Sequence, residues 1–202
     1  MTRFNQLTGI AAVLPENNID TDVIYPGRFL TRLSKQSMAE CLFFDRRFDN
    51  QGNEKAEFVL NQTNFKKSQI IIAGANFGCG SSRETAVWAL ADFGIRCIIA
   101  PSFGEIFYTN CFNNMMLPIV LPLLESKRLL LSASQAEPIT IDLAYQRIVL
   151  ADGTDITFDI SSGNKEMLMT GLDEISRQLS VDIDDICTFE NRQKLMEPWL
   201  WG

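Results

Sequence analysis

The sequence predicts an α/β domain in which a partly parallel sheet is flanked by helices, with a β-rich addition and a helical tail. Three observations carry this. Gln69–Ala73 is a short, almost wholly apolar run of the kind found in strands covered on both faces, and it leads through a glycine-rich segment, 74–80, into a helical periodicity from Ser81. The order of turn, helix and strand then recurs over 101–121. From Ile139 onward the apolar residues alternate instead, as in antiparallel strands.

In chain order, Ile10–Leu14 reads as a strand closed by Pro15, and a long Asp- and Asn-rich loop, 16–25, ends at Pro26-Gly27. A helix is expected over Ser34–Phe44, then a polar region, 45–67, with one apolar stretch at Phe58–Leu60. In the helix from Ser81, residues Ala86, Ala89, Leu90 and Phe93 fall on one face, and Gly94 suits a left-handed helix end. Ile95–Ala100 is the next strand, Glu105–Asn113 the next helix and Pro118–Leu121 the strand after it. Ile139–Leu143, Arg147–Leu150 and Thr154–Ile160 form the β-rich addition, and helical segments are expected over 165–179 and 182–195. No repeat or linker divides the 202 residues, so residues 1–202 are expected to form a single domain with a helical tail from about 163.

Composition narrows the chemistry. With 18 basic against 25 acidic residues, a net charge of -7 and no basic cluster, the chain has no evident surface for nucleic acid. No apolar run approaches the ~20 residues that span a bilayer, and the first residues lack the features of a signal or transit peptide, so no membrane partner and a cytoplasmic location are expected. Cys41, Cys79, Cys97, Cys111 and Cys187 are scattered and never spaced C-x-x-C, so neither a disulfide framework nor a metal site held by this chain is expected. The chain has no histidine, which excludes a Ser-His-Asp triad and a His-based metal centre.

The segment Gly74–Glu84 carries the candidate site. It places glycines, Ser81, Ser82 and Arg83 between the carboxyl end of a strand and the start of a helix, where open α/β sheets bind ligands. Gly78 and Gly80 let backbone amides approach a bound group, the helix terminus favours an anion, and Arg83 offers a planar fork for a carboxylate. A plainer alternative has Ser81 or Ser82 capping the helix and Arg83 solvated. A dinucleotide fingerprint fails because Arg83 stands where a third small residue is needed, and no Gly-Lys-Ser/Thr of a Walker loop is present.

These residues, with Asn18–Pro26, Trp88–Gly94 and Ile99–Tyr108, make the chain resemble the small subunits of 3-isopropylmalate dehydratase, the swivelling β/β/α domains of the aconitase superfamily. The resemblance implies a hydro-lyase that isomerises 2- and 3-isopropylmalate by dehydration and rehydration, and that is active only with a large subunit. It implies no cofactor on this chain, a four-iron four-sulfur cluster on the large subunit, and a small hydroxy-diacid as substrate. It makes Ser81 the base that removes a carbon-bound proton and Arg83 a catalytic residue that also binds a substrate carboxylate. Gly80 and Ser82, the loop Asp20, Thr21 and Asp22, and the segment Phe29, Leu30 and Arg32 are assigned to substrate binding. For Asp20–Asp22 the alternative is a turn held by Asx-type bonds, and for Phe29 and Leu30 a place in the core.

Two departures bear on specificity. Thr85 stands where the family usually has histidine, and Asn164–Met167 replaces a stretch that is commonly Arg-Arg-His-Cys. A related acid of the citraconate, maleate or homoaconitate type, or a non-catalytic dicarboxylate-binding module, is the alternative. Cys79 reads as a packed thiol, Met115, Met116, Phe103, Phe107 and Phe112 as core, and Trp199 and Trp201 either dock on a partner or fold back.

Overall fold

The computed structural model describes residues 3–31, 37–172 and 174–201. Seven strands form one sheet in the order β4-β3-β2-β1-β5-β6-β7: β1 Gln6–Leu14, β2 Ile70–Ala73, β3 Cys97–Ala100, β4 Leu117–Val120, β5 Pro138–Asp142, β6 Arg147–Val149 and β7 Asp155–Thr157. Strand β1 joins two halves of different kind. Its carboxyl-terminal part runs parallel to β2, from Ala11 opposite Ile70 to Leu14 opposite Ala73. Its amino-terminal part runs antiparallel to β5, from Gln6 opposite Asp142 to Ile10 opposite Pro138.

The parallel half is built as its sequence dictates. In β2 and β3 every residue is buried, because successive side chains enter opposite apolar layers. Ile71, Ala73, Ile98 and Ala100 face one core with α1 (Thr21–Ile24) and α3 (Thr85–Phe93). Ile70, Ile72, Cys97 and Ile99 face the other, which holds Phe112 of α4 (Glu105–Asn113), Leu129 and Ala133 of α5 (Leu123–Ala133), and the inner residues of β5–β7. Met115, Met116, Phe107 and Phe112 are core residues, as the sequence predicts.

Several expectations change. Strand β1 begins at Gln6 rather than Ile10, since β5 pairs its polar end. The helix expected over 34–44 is absent from its described part: Met38–Cys41 is one 3-10 turn, Phe43 is left-handed at φ 48°, and α2 covers only Phe44–Arg47. Helix α5 was not anticipated. The tail divides at Gly171, whose left-handed conformation closes α6 (Ser162–Thr170) by a bond from its amide to the Met167 carbonyl, and α7 runs unbroken over Glu174–Met196. Helix α6 is seated on the sheet through Leu168, whereas α7 packs chiefly on the turn at Pro198–Leu200. Trp201 folds back on α7 with the Lys194 ammonium 4.4 Å from its ring centre, and Trp199 is 73% exposed. No described helix is long and apolar enough to cross a membrane.

Candidate active site

The loop from β2 to α3 is threaded between the 15–27 loop and the turn before α4. Asn18 donates its amide to the Ala75 carbonyl at 2.8 Å, and the Asn76 side chain donates to Asn18 Oδ1 at 2.8 Å, with both asparagines left-handed. The Gly78 amide donates to the Ile19 carbonyl at 2.7 Å, and the Thr21 amide to the Cys79 carbonyl at 2.9 Å. Gly78 has φ +73°, and a Cβ there would approach the Phe107 ring to within 2.6 Å of Cδ2 and closer still to Cγ. Gly78 is thus required by Phe107 as well as by its backbone. Gly80, at φ +98°, turns the chain toward Ser81 with its α-carbon against Asp20.

Ser81 is half-buried and lines an open cavity of about 560 Å³ with Gly78–Ser82 and Gly104–Phe107. Its Oγ lies 2.7 Å from Thr21 Oγ1 and accepts from Arg83 Nε at 2.9 Å and, more weakly, from the Arg83 amide at 3.4 Å. Arg83 Nη2 is paired with the Asp22 carboxylate, whose other oxygen accepts from the Gly27 amide at 3.2 Å. This hydrogen bond from Arg83 holds the Asp22 carboxyl below its ordinary range. Among the described residues, then, Arg83 bridges a serine oxygen and a carboxylate, and Asp22 occupies the position an anionic ligand of the guanidinium would take.

The capping alternative does not hold. Helix α3 begins at Thr85, its N-cap is Glu84 with no side-chain capping bond, and Ser81 lies four residues before the first helical position. For the same reason the surroundings of the Ser81 hydroxyl are set by Arg83 and Thr21 rather than by the first turn of a helix, because the macrodipole acts only over that turn. Ser82 is exposed and its carbonyl accepts from Asn110 at 3.4 Å.

The Asp20–Asp22 loop divides its labour. Asp20 caps α1 by accepting from the Val23 amide at 2.7 Å, as the turn reading expects. Thr21, predicted to bind substrate, is only 1% exposed, and its hydroxyl meets Ser81 Oγ. Phe29 packs against Tyr25 and Phe44 with the Arg28 guanidinium 4.8 Å from its ring centre, Leu30 is 42% exposed, and Arg32 lies outside the described residues. The sequence reading missed Gly27, against which the Arg83 guanidinium rests, and Asn17, whose Oδ1 accepts from the Ala75 amide. The Pro-Gly turn and the Asn-Asn pair were the available signals. Thr85 opens α3, and Lys165 of the divergent 164–167 stretch donates to the Ala144 carbonyl in the antiparallel half.

The donor sets available here do not suit a cluster. Cys41, Cys97 and Cys111 are buried, with desolvation pushing the Cys97 and Cys111 thiols up, and no group of three or more Cys, Asp or Glu converges among the described residues.

A mixed sheet with this loop at the carboxyl ends of its parallel strands defines the aconitase C-terminal-domain class, whose family profile matches residues 1–123. The chain belongs to that family. Within it the chain belongs with the 3-isopropylmalate dehydratase small subunits, being 47% identical over 202 residues to that of Parvibaculum lavamentivorans, with 99% of this chain and 100% of the relative covered. It is also 47% identical to the small subunit of Rhodospirillum rubrum, covering 99% and 97%. A crystal structure of a 3-isopropylmalate dehydratase from Methanocaldococcus jannaschii superposes with a TM-score of 0.67 at 27% identity, covering 91% of this chain and 99% of that one.

Proposed function

We propose that the chain is the swivelling small subunit of a hydro-lyase that interconverts 2- and 3-isopropylmalate in leucine biosynthesis, and that Ser81 is its base. The observation that carries this reading is the Ser81 Oγ, set in an open cavity and held by Arg83 Nε. A serine hydroxyl is far too weak an acid to ionise at neutral pH unless a preorganised donor meets the developing charge, and Arg83 is such a donor.

Ser81 takes the proton from the substrate carbon, and Arg83 stabilises the oxygen before the transfer. The incoming substrate carboxylate either takes the place of Asp22 on the guanidinium or meets its remaining edge beside Gly27. A four-iron four-sulfur cluster held by the large subunit would supply Lewis acidity at the departing hydroxyl. No step is assigned to a thiol of this chain, since its cysteines are scattered and Cys41, Cys97 and Cys111 are buried. The whole chain acts as one unit in the cytoplasm, closing the open cavity against the large subunit.

The test is co-expression with the cognate large subunit and assay of isopropylmalate isomerisation. Ser81→Ala should lower turnover by roughly 10²–10⁴-fold, the range for loss of a positioned base, while subunit association persists. Wild-type turnover in that variant would refute the assignment, and a complex that binds dicarboxylates without turnover would favour the binding module.

A further inference from the structure

Thr21 contributes more than a place in the loop. Its hydroxyl is buried, at 1% exposure, and among the described residues its one hydrogen-bond partner is Ser81 Oγ at 2.7 Å. The pair has two possible polarities. Were Ser81 to donate, the Thr21 proton would be buried without an acceptor, at a cost of about 1–3 kcal/mol. Were Thr21 to donate, its buried hydroxyl is satisfied, and the Ser81 proton is directed to the open cavity, where water accepts it. The second arrangement is the stable one.

We infer that Thr21 is a positioning residue for the reaction, a third hydrogen-bond donor that, with Arg83 Nε and the Arg83 amide, holds the Ser81 oxygen in its anionic form. This rests on the reading of Ser81 as the base. Ser81 releases its own proton to water through the cavity. The alkoxide then takes the proton from the substrate carbon, the electron pair of the broken C–H bond stays with the substrate, and Thr21 keeps its proton throughout. An oxygen that accepts three donors in a partly dry site is built for negative charge. Thr21 is held where this requires: its amide is tied to the Cys79 carbonyl at 2.9 Å, and the side chain of Asp20 beside it closes the first turn of α1. The loop that carries the donor and the loop that carries the base are therefore pinned to each other two residues from the contact.

The experiment uses the small subunit assembled with its cognate large subunit and 2-isopropylmalate as substrate. Thr21→Val keeps the shape and removes the donor, and Thr21→Ser restores the donor without the methyl group. The expected result is a fall in kcat of roughly 10²-fold for Thr21→Val, the usual loss on removing one such donor, with KM within about twofold and most of the rate recovered in Thr21→Ser. Turnover by Thr21→Val within about threefold of wild type, or a Thr21→Ser variant as slow as Thr21→Val, overturns the inference while leaving Ser81 as the base. If Thr21→Val loses its thermal transition, Thr21→Ala supplies the same kcat and KM comparison. A wild-type complex with no turnover refutes the reading of Ser81 itself.

Discussion

Replacing Gly78 by alanine isolates the physical reason for the glycine-rich loop. Two costs add. The backbone at φ +73° is left-handed, which charges an L-residue about 1–2 kcal/mol. The new Cβ would also lie within 2.6 Å of Phe107 Cδ2 and closer still to Cγ, whereas carbon atoms rest about 3.5–4.0 Å apart, so the ring must retreat by well over about 1 Å. Phe107 is 1% exposed and packs edge-on to Phe77 with centroids 5.5 Å apart, so it has little room to do so, and overpacking of this kind costs about 1–3 kcal/mol. Gly52 is the control: its φ is +84°, yet a Cβ there meets nothing within 4 Å. A domain of this length loses about 2–4 °C in Tm per kcal/mol, so Gly78→Ala should melt roughly 2–12 °C below Gly52→Ala in calorimetry. Equal melting temperatures for the two variants, within about 1 °C, would refute the role given to the Phe107 contact.

The other predictions concern charge. Arg83→Lys supplies no planar fork that can reach Ser81 and Asp22 together, so kcat/KM in the assembled complex should fall by roughly 10²-fold or more; an unchanged value contradicts the placing of Arg83. The Asp22 carboxyl should titrate below its ordinary value by NMR in the wild type and return toward that value in Arg83→Ala; a normal midpoint in the wild type would remove the pair. Because the folded pKa of Asp22 is lowered, the stabilisation from the pair is complete above the ordinary carboxylate value near pH 3.8 and is lost as pH falls through the lower folded value. That contribution is small, below about 1 kcal/mol, since the Asp22 side chain is largely exposed; a larger loss in Asp22→Asn would mean that the aspartate does more than pair.

The parallel half was readable because both faces of its strands are covered, so β2 and β3 appear as unbroken apolar runs punctuated by glycine. The other elements depend on partners distant in the chain. Gln6–Gly9 is polar and contains a glycine, and only pairing with β5 makes it a strand. Helix α5 was legible in principle, since Ser126, Leu129 and Ala133 recur on one buried face after Pro122, but the leucine run around them blurs the period. Within the site, Ser81 and Arg83 were identified from spacing and resemblance. The contact of Thr21 with Ser81 was not legible, because whether a threonine in a polar loop faces solvent or a serine 60 residues away is decided by the tertiary fold.

Strands β1 and β2 are neighbours in register, and the loops leaving their ends are cross-linked by Asn17, Asn18 and Asn76. The proposed proton-abstracting apparatus is consequently tied into one cassette by contacts made within this chain. On the proposed function, the segment after Gly27 lies outside these Asn-mediated contacts, so a change of residue there leaves the cassette intact.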